Sequence, residues 1–324
     1  MSTITDQNQL TADQAAAGVT AAVAPRPSGD GFVRGREEWK TALLFLSPTL
    51  VIVSVFIFFP IVFSFYLSFH EWNMFGGEQP FVGLQNYATL LGSSEFWQVF
   101  GTTSIYTIAT VPMNMILALA VAIVLERKLR GKKFLRVAFF TPVIVSWVAA
   151  AVIWRWVFHP NIGLLNHMFD ALGIPPVNWV NDPTAALFSM IIVGVWKTFG
   201  INMILFSAGL AGIPNHYYEA AEIDGAGAWS KFWKITLPLL SPTTLFILVL
   251  SIIGSFQVFD LVWVLTHGGP LGSTKVIVFY LYEQAFQFFD MGYASAIAYV
   301  LFAVLFILTM LQFRYFRGKG MGIA

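Results

Sequence analysis

The sequence predicts an all-α fold: a polytopic membrane helical bundle of six transmembrane helices with a helical loop on the cytoplasmic side. Three observations predict it. Of the 324 residues, 57% are hydrophobic and only 11% charged, against roughly 45–50% and 25% in a soluble domain. The mean hydropathy is +0.71. The apolar residues also gather into six runs of about 18 or more, the length that crosses about 30 Å of hydrocarbon at 1.5 Å per residue. Eighteen Lys+Arg against seventeen Asp+Glu leave a net charge of +1, which excludes a nucleic-acid binder, since that function needs a strong positive field. Without cysteine there is no disulfide, thiolate metal site, iron–sulfur cluster or cysteine nucleophile, and the compartment stays open.

The elements follow in order. Residues 1–40 are rich in Ala, Gln, Thr, Pro and Gly and hold no apolar run that could serve as the core of a cleaved signal peptide; they read as a disordered, uncleaved cytoplasmic tail. The membrane domain covers 41–313, with spans near 41–69, 97–125, 135–157, 184–211, 241–266 and 290–313, and a short cytoplasmic tail over 314–324. Pro48, Pro60, Pro112 and Pro142 lie in or beside spans, which predicts kinks. Orientation follows the positive residues. Fifteen of the eighteen Lys and Arg fall in the tails and in the loops after spans two and four, so both termini are expected in the cytoplasm. Trp72, Trp97, Trp156 and Trp179 sit near the outer ends, as an aromatic belt would.

The hydrophilic stretch 212–242 is more than a connector. Pro214 and Asn215 suit a helix start, Tyr218, Ala221 and Glu222 follow at helical spacing, and Gly225 and Gly227 break the run. A second amphipathic helix then carries Trp229, Phe232, Trp233, Ile235 and Leu237 and ends at Pro238. These aromatics exceed what two short helices can bury against each other, so the knob should dock into a partner's groove; a hairpin lying on lipid headgroups is the alternative.

Glu219-Ala220-Ala221, Asp224-Gly225-Ala226, Phe232, Ile235, Leu237-Pro238 and Pro242 resemble the EAA loop of bacterial ABC-importer permeases. Gly83-Leu84, Asn86-Tyr87, the segment from Phe256 to Pro270 and Thr274 extend the resemblance over nearly the whole chain after the tail. It is nearest the carbohydrate-uptake branch, with its maltose, lactose and glycerol-3-phosphate permeases. The resemblance implies a binding-protein-dependent permease of the bacterial cytoplasmic (inner) membrane. Its implied partners are a second homologous permease, a cytoplasmic ATPase dimer, an extracytoplasmic solute-binding protein and membrane lipid. It also implies ATPase-coupling roles: Glu219 facing a basic residue of the ATPase, Gly225 making the turn, and Ala220, Ala221 and Ala226 allowing close approach beside Asp224. No cofactor is expected on this chain, with ATP and Mg on the partner ATPase: no G-x-x-x-x-G-K-[ST] occurs, and the lookalike from Gly269 to Lys275 lies in an outer loop.

Within the spans, Lys197 stands about 20 Å below the outer end of its helix and Asp260 about 9 Å from the outer end of span five. Intramembrane charges are functional candidates, since each is costly without a partner or cavity. A sugar or polyol needs aromatic faces and replacements for lost water. Trp196, Lys197, Asn202, Gln257, Asp260, Trp263, Ser295 and Tyr299 are the candidate substrate-binding residues. Plain helix packing is the competing account of each. The five histidines gather into no multi-residue ligand set in the sequence, so no metal is expected. Three functions remain in view: an ATP-driven importer of a di- or oligosaccharide, with glycerol-3-phosphate as alternative cargo because of Lys197; an ion-coupled secondary transporter or channel using Lys197 and Asp260; and a membrane enzyme, for which the inner loops offer no clustered carboxylates or His. Only the first accounts for the 212–242 loop.

Overall fold

The computed structural model describes residues 31–76, 78–126 and 130–318, with side chains from residue 39 onward. The chain divides into two units, Met1–Ile61 and Val62–Ala324. In the first, α1 (Gly31–Val53) leads into a π-helical turn, Ser54–Phe58. Helix therefore occupies Gly31–Lys40, which the sequence analysis gave to the tail: from Arg36 to Lys40 the residues are Arg, Glu, Trp and Lys, helix formers with no Gly or Pro to stop propagation. The rest of that tail lies outside the described residues.

In the second unit the helices are α2 (Phe59–Leu67, which straddles the boundary), α3 (Gln85–Gly92), α4 (Ser94–Glu126), α5 (Lys132–Ile144), α6 (Trp147–Val157), α7 (Leu164–Ala171) and α8 (Pro183–Ala211). Then come α9 (His216–Ile223), α10 (Ala228–Lys231), α11 (Leu237–Leu239), α12 (Ser241–Phe256), α13 (Asp260–Leu265), α14 (Ile277–Tyr282) and α15 (Met291–Gly318). Among the described residues there is no strand, only isolated bridges joining His70 to Phe81 and Asn73 to Asp290. Among the described residues four helices are long and apolar enough to cross a membrane, Trp39–Leu67, Ser94–Glu126, Pro183–Ala211 and Met291–Gly318, and there are up to six if each of two bent pairs is one span. α15 runs to Gly318, so Arg314–Gly318 of the assigned tail is helical, while 319–324 lie outside the described residues.

Local chemistry sets these boundaries. Asp182 caps α8 by accepting from the backbone N–H groups of Thr184 and Ala185, with Pro183 at the first position. Ser146 does the same for α6, accepting from Ala149. Val145 just before it is extended, with ψ 137°, and the third span bends by 100° there. The expected run 135–157 is thus two helices, broken by the Ser146 cap; Pro112, by contrast, lies inside the unbroken α4. Prolines act differently here: the π turns Ser54–Phe58 and Phe232–Thr236 each end one residue before the residue that precedes a proline, Pro60 and Pro238. A proline has no N–H and its ring crowds the carbonyl four residues back, so the preceding turn opens. Pro238 accordingly sits within the helical path rather than ending it.

α4 lies most extensively against α8, and α12 packs on α4. Two long apolar helices gain nothing in lipid from hydrophobicity alone; small residues let their backbones approach. Gly194 of α8 leaves room for the Tyr106 ring, and Gly200 for the Phe139 carbonyl and Val143. A side chain at either would force the neighbour away. Phe158, Trp179, Met190, Leu261, Val262 and Phe279 form a buried core. Trp179 is buried there, its indole N–H donating to Asn166 Oδ1 at 2.9 Å, so it packs in the core instead of in an aromatic belt.

The fifth span also departs from expectation. α12 ends at Phe256, three residues follow, and α13 turns away to pack on α6. Arg155 of α6 reaches across to donate to the Val264 carbonyl at 3.3 Å.

Candidate functional site

Where α4, α6, α8, α12 and α13 meet they enclose a cavity of about 360 Å³, within the usual range of small-molecule sites. Its wall mixes neutral polar groups with apolar faces. α4 supplies Tyr106, Thr110 and Asn114; α8 supplies Gly194, Thr198 and Asn202; α12 supplies Ser251, Gly254 and Ser255; Trp147 and Phe259 add rings, and Gln257 and Asp260 come from the segment after α12.

The polar groups brace one another. Asn202 Nδ2 donates to Asn114 Oδ1 at 2.7 Å and to Ser251 Oγ at 3.2 Å. Asn114 Nδ2 donates to Thr198 Oγ1 at 2.7 Å, and Thr198 Oγ1 donates to the Gly194 carbonyl at 2.7 Å. Ser255 Oγ donates to Thr107 Oγ1 at 3.0 Å. A buried amide without a partner costs about 1–3 kcal/mol, so this chain of bonds fixes how α4, α8 and α12 stand.

Of the eight residues chosen from sequence, Asn202, Gln257 and Asp260 line the cavity. The other five do not. Trp196 stacks edge-on against Trp154 at 5.5 Å. Trp263 packs among Phe259, Phe279 and Tyr282. Tyr299 meets Phe65 edge-on at 4.9 Å, and Ser295 is buried on α15. Lys197 is buried too, but is not among the lining residues: its Nζ donates to the Val143 carbonyl at 3.1 Å and lies 5.2 Å over the Trp147 ring. That carbonyl belongs to the last turn of α5, where an ammonium meets the negative end of the helix dipole. Lys197 therefore straps α8 to the bend of the third span. Its depth signalled a charge but not the direction it points.

Sequence reasoning missed Tyr106, Thr110, Asn114, Trp147, Thr198, Ser251 and Ser255. One signal was present: Tyr106, Thr110 and Asn114 recur every four residues in an apolar span, which puts them on one helical stripe.

The loop 212–242 forms a hairpin. α9 closes with two backbone bonds, Ala226 N–H to the Ala221 carbonyl at 2.8 Å and Gly225 N–H to the Glu222 carbonyl at 3.0 Å. This is a Schellman ending, in which the residue after the cap must be left-handed; Gly225 has φ +75°. Asp224 caps the helix ahead of it. Lys231 ties back to Glu222 at 2.7 Å, and Tyr218 Oη meets Thr236 Oγ1 at 3.0 Å. The Lys231 hydrogen bond and charge hold the Glu222 carboxyl below the ordinary carboxylate range. No residue of α9 is buried, Glu219, Ala220 and Ala221 included. Ile223 is 87% exposed and Trp229 75%, far more apolar surface than a free hairpin in water would keep open.

The family model for the binding-protein-dependent transport system inner membrane component matches residues 92–319. The trehalose/maltose transport system permease protein MalF of Thermococcus litoralis is 37% identical over 280 residues, 86% of this chain and 95% of that protein. The arabinooligosaccharides transport system permease protein AraP of Bacillus subtilis is 36% identical over 86% of this chain and 90% of its own. Among solved structures, a bacterial ABC transporter involved in import of the acidic polysaccharide alginate superposes with a TM-score of 0.76 at 23% identity, covering 88% of this chain and 98% of that one; this likeness speaks for the fold. The chain thus belongs to the family of binding-protein-dependent transport system inner membrane components: it is a permease subunit of an ABC importer, a non-catalytic membrane component whose ATPase is a separate subunit.

Proposed function

We propose that this permease carries a di- or oligosaccharide, that the cavity is its half of the pathway, and that the 212–242 hairpin couples the pathway to the ATPase. The observation that carries the cargo reading is a cavity walled by neutral hydroxyls and amides with the Trp147 and Phe259 rings among them. Sugar hydroxyls need donors and acceptors in place of water, and sugar C–H faces pack on rings. The similarity to a trehalose/maltose permease supports it. Glycerol-3-phosphate is disfavoured, because Lys197, the cation that suggested it, is engaged elsewhere.

The complete importer then holds a second homologous permease, an ATPase dimer that binds ATP and Mg, and an extracytoplasmic solute-binding protein. Both termini face the cytoplasm, as the positive residues require, which puts the hairpin on the ATPase side. ATP-driven closure of the ATPase dimer moves the hairpins, the cavity opens outward to receive sugar, and hydrolysis returns it to face inward. Glu219 meets a basic residue of the ATPase, and the small Ala220, Ala221 and Ala226 seat the knob beside Asp224 and Gly225.

Uptake of labelled disaccharide by cells with and without this chain tests the reading. Uptake should need the chain, stop on ATP depletion and survive a protonophore; collapse with the protonophore while ATP is intact would return the ion-coupled transporter.

A further inference from the structure

The charge of the cavity narrows the cargo class, an argument that rests on the sugar reading above. Among the residues lining the cavity, Asp260 alone is a carboxylate and none is Lys, Arg or His. Asp260 is exposed at the start of α13, and no described residue offers its carboxylate an ion pair or a hydrogen bond. Lys197 does not pair with it: its ammonium goes to the Val143 carbonyl and the Trp147 face. The charged side chain that a solute meets at the cavity wall is thus that of Asp260.

We infer that Asp260 is a specificity-determining residue that makes this permease select uncharged sugars and reject uronates, sulfonates and phosphates. An ionised carboxylate only accepts hydrogen bonds, and it accepts them from hydroxyls more strongly than a neutral oxygen does. A sugar donates to it from adjacent hydroxyls, while Asn202, Ser251 and Gln257 answer the remaining ones. An anionic group has no donor to give and meets like charge. At an effective dielectric of about 20, two unit charges about 12 Å apart repel by enough to cost about tenfold in affinity. A cationic amino sugar is drawn by the same charge, but its ammonium also loses water that the neutral walls do not replace, which puts it outside the class.

Saturation-transfer NMR on the intact importer, purified through this chain, tests this with a neutral disaccharide, its uronic-acid counterpart and its amino-sugar counterpart. The neutral sugar should bind about tenfold tighter than the uronate. In Asp260→Asn that ratio should fall toward one, through weaker neutral binding and stronger uronate binding, and Asp260→Glu should restore it. Equal binding of the uronate by the unaltered protein, an unchanged ratio in Asp260→Asn, or tightest binding of the amino sugar overturns the inference. Binding of no disaccharide at all overturns the sugar reading and the inference with it.

Discussion

The cavity and the 212–242 hairpin invert each other. In the cavity, polar side chains face inward from helices bathed in lipid, and Asn114, Thr198, Asn202 and Ser251 are joined by hydrogen bonds of 2.7 to 3.2 Å. In the hairpin, apolar side chains face outward into water, and Ile223, Trp229 and Trp233 are exposed. Each arrangement is unfavourable in isolation, and the function proposed above answers each: a solute for the first, a protein groove for the second. Packing holds the cavity in shape before its ligand comes. The hairpin is held by two backbone bonds at Gly225, one ion pair and one hydroxyl contact, so it should be the more sensitive region.

The largest effect follows from Gly225→Val. A Cβ at Gly225 would meet nothing within 4 Å, so the substitution adds no clash. It forces a β-branched residue to φ +75°, which costs roughly 1–2 kcal/mol or more. The chain should still reach the membrane, while ATPase co-purification and uptake fall about tenfold or more. Gly225→Asn, which tolerates that conformation better, should fall less. Wild-type uptake in Gly225→Val would remove the turn from the coupling path.

Asn202→Leu strikes the other region. It leaves Asn114 Oδ1 and Ser251 Oγ without their donor, at about 1–3 kcal/mol. The thermal midpoint in detergent should drop, and sugar affinity with it. Asn114→Leu combined with Asn202→Leu should cost less than the two single losses together, because a network removed whole leaves fewer orphans. Strict additivity would mean the two amides do not cooperate.

How legible each region was follows from the same contrast. The hairpin is contiguous: motif, turn glycine and exposed aromatics fall within thirty-one residues, from Gly212 to Pro242, and local rules read them. The cavity gathers side chains from Tyr106 to Leu261 on five helices; no spacing rule joins Asn114 to Asn202. Apolar runs announced the spans, but the bend at Ser146 and the stop at Phe256 depend on a cap and on what α13 packs against. Lys197 shows the limit best. Its depth was readable, whereas its partner is a backbone carbonyl 54 positions away.

Lys197→Met sharpens the comparison with a smaller effect. It removes a charge-assisted bond worth about 1.5–3 kcal/mol but also relieves the burial of an ammonium, so stability should change little. The bend should loosen, seen as faster hydrogen exchange at Trp147–Ala149, and cargo charge preference should not move. Loss of selectivity with exchange unchanged would place Lys197 on the pathway after all.

The smallest effect is the pH response of the hairpin strap. Lys231 donates to Glu222 at 2.7 Å, and this bond, with the attraction between the charges, lowers the Glu222 carboxyl from its ordinary 4.5. A carboxyl lowered in the folded state stabilises it above the unfolded value, and that contribution is lost as pH falls through the lowered one. The strap is therefore whole at neutral pH and fails only in acid, below about 4.5. Because Glu222 lies at the surface, salt should screen the pair and little stability is at stake. Glu222→Gln should leave the Gly225 turn in place and change ATPase binding far less than Gly225→Val does. A loss as large as that of the glycine variant would show that the ion pair, rather than the backbone turn, sets the angle of the knob.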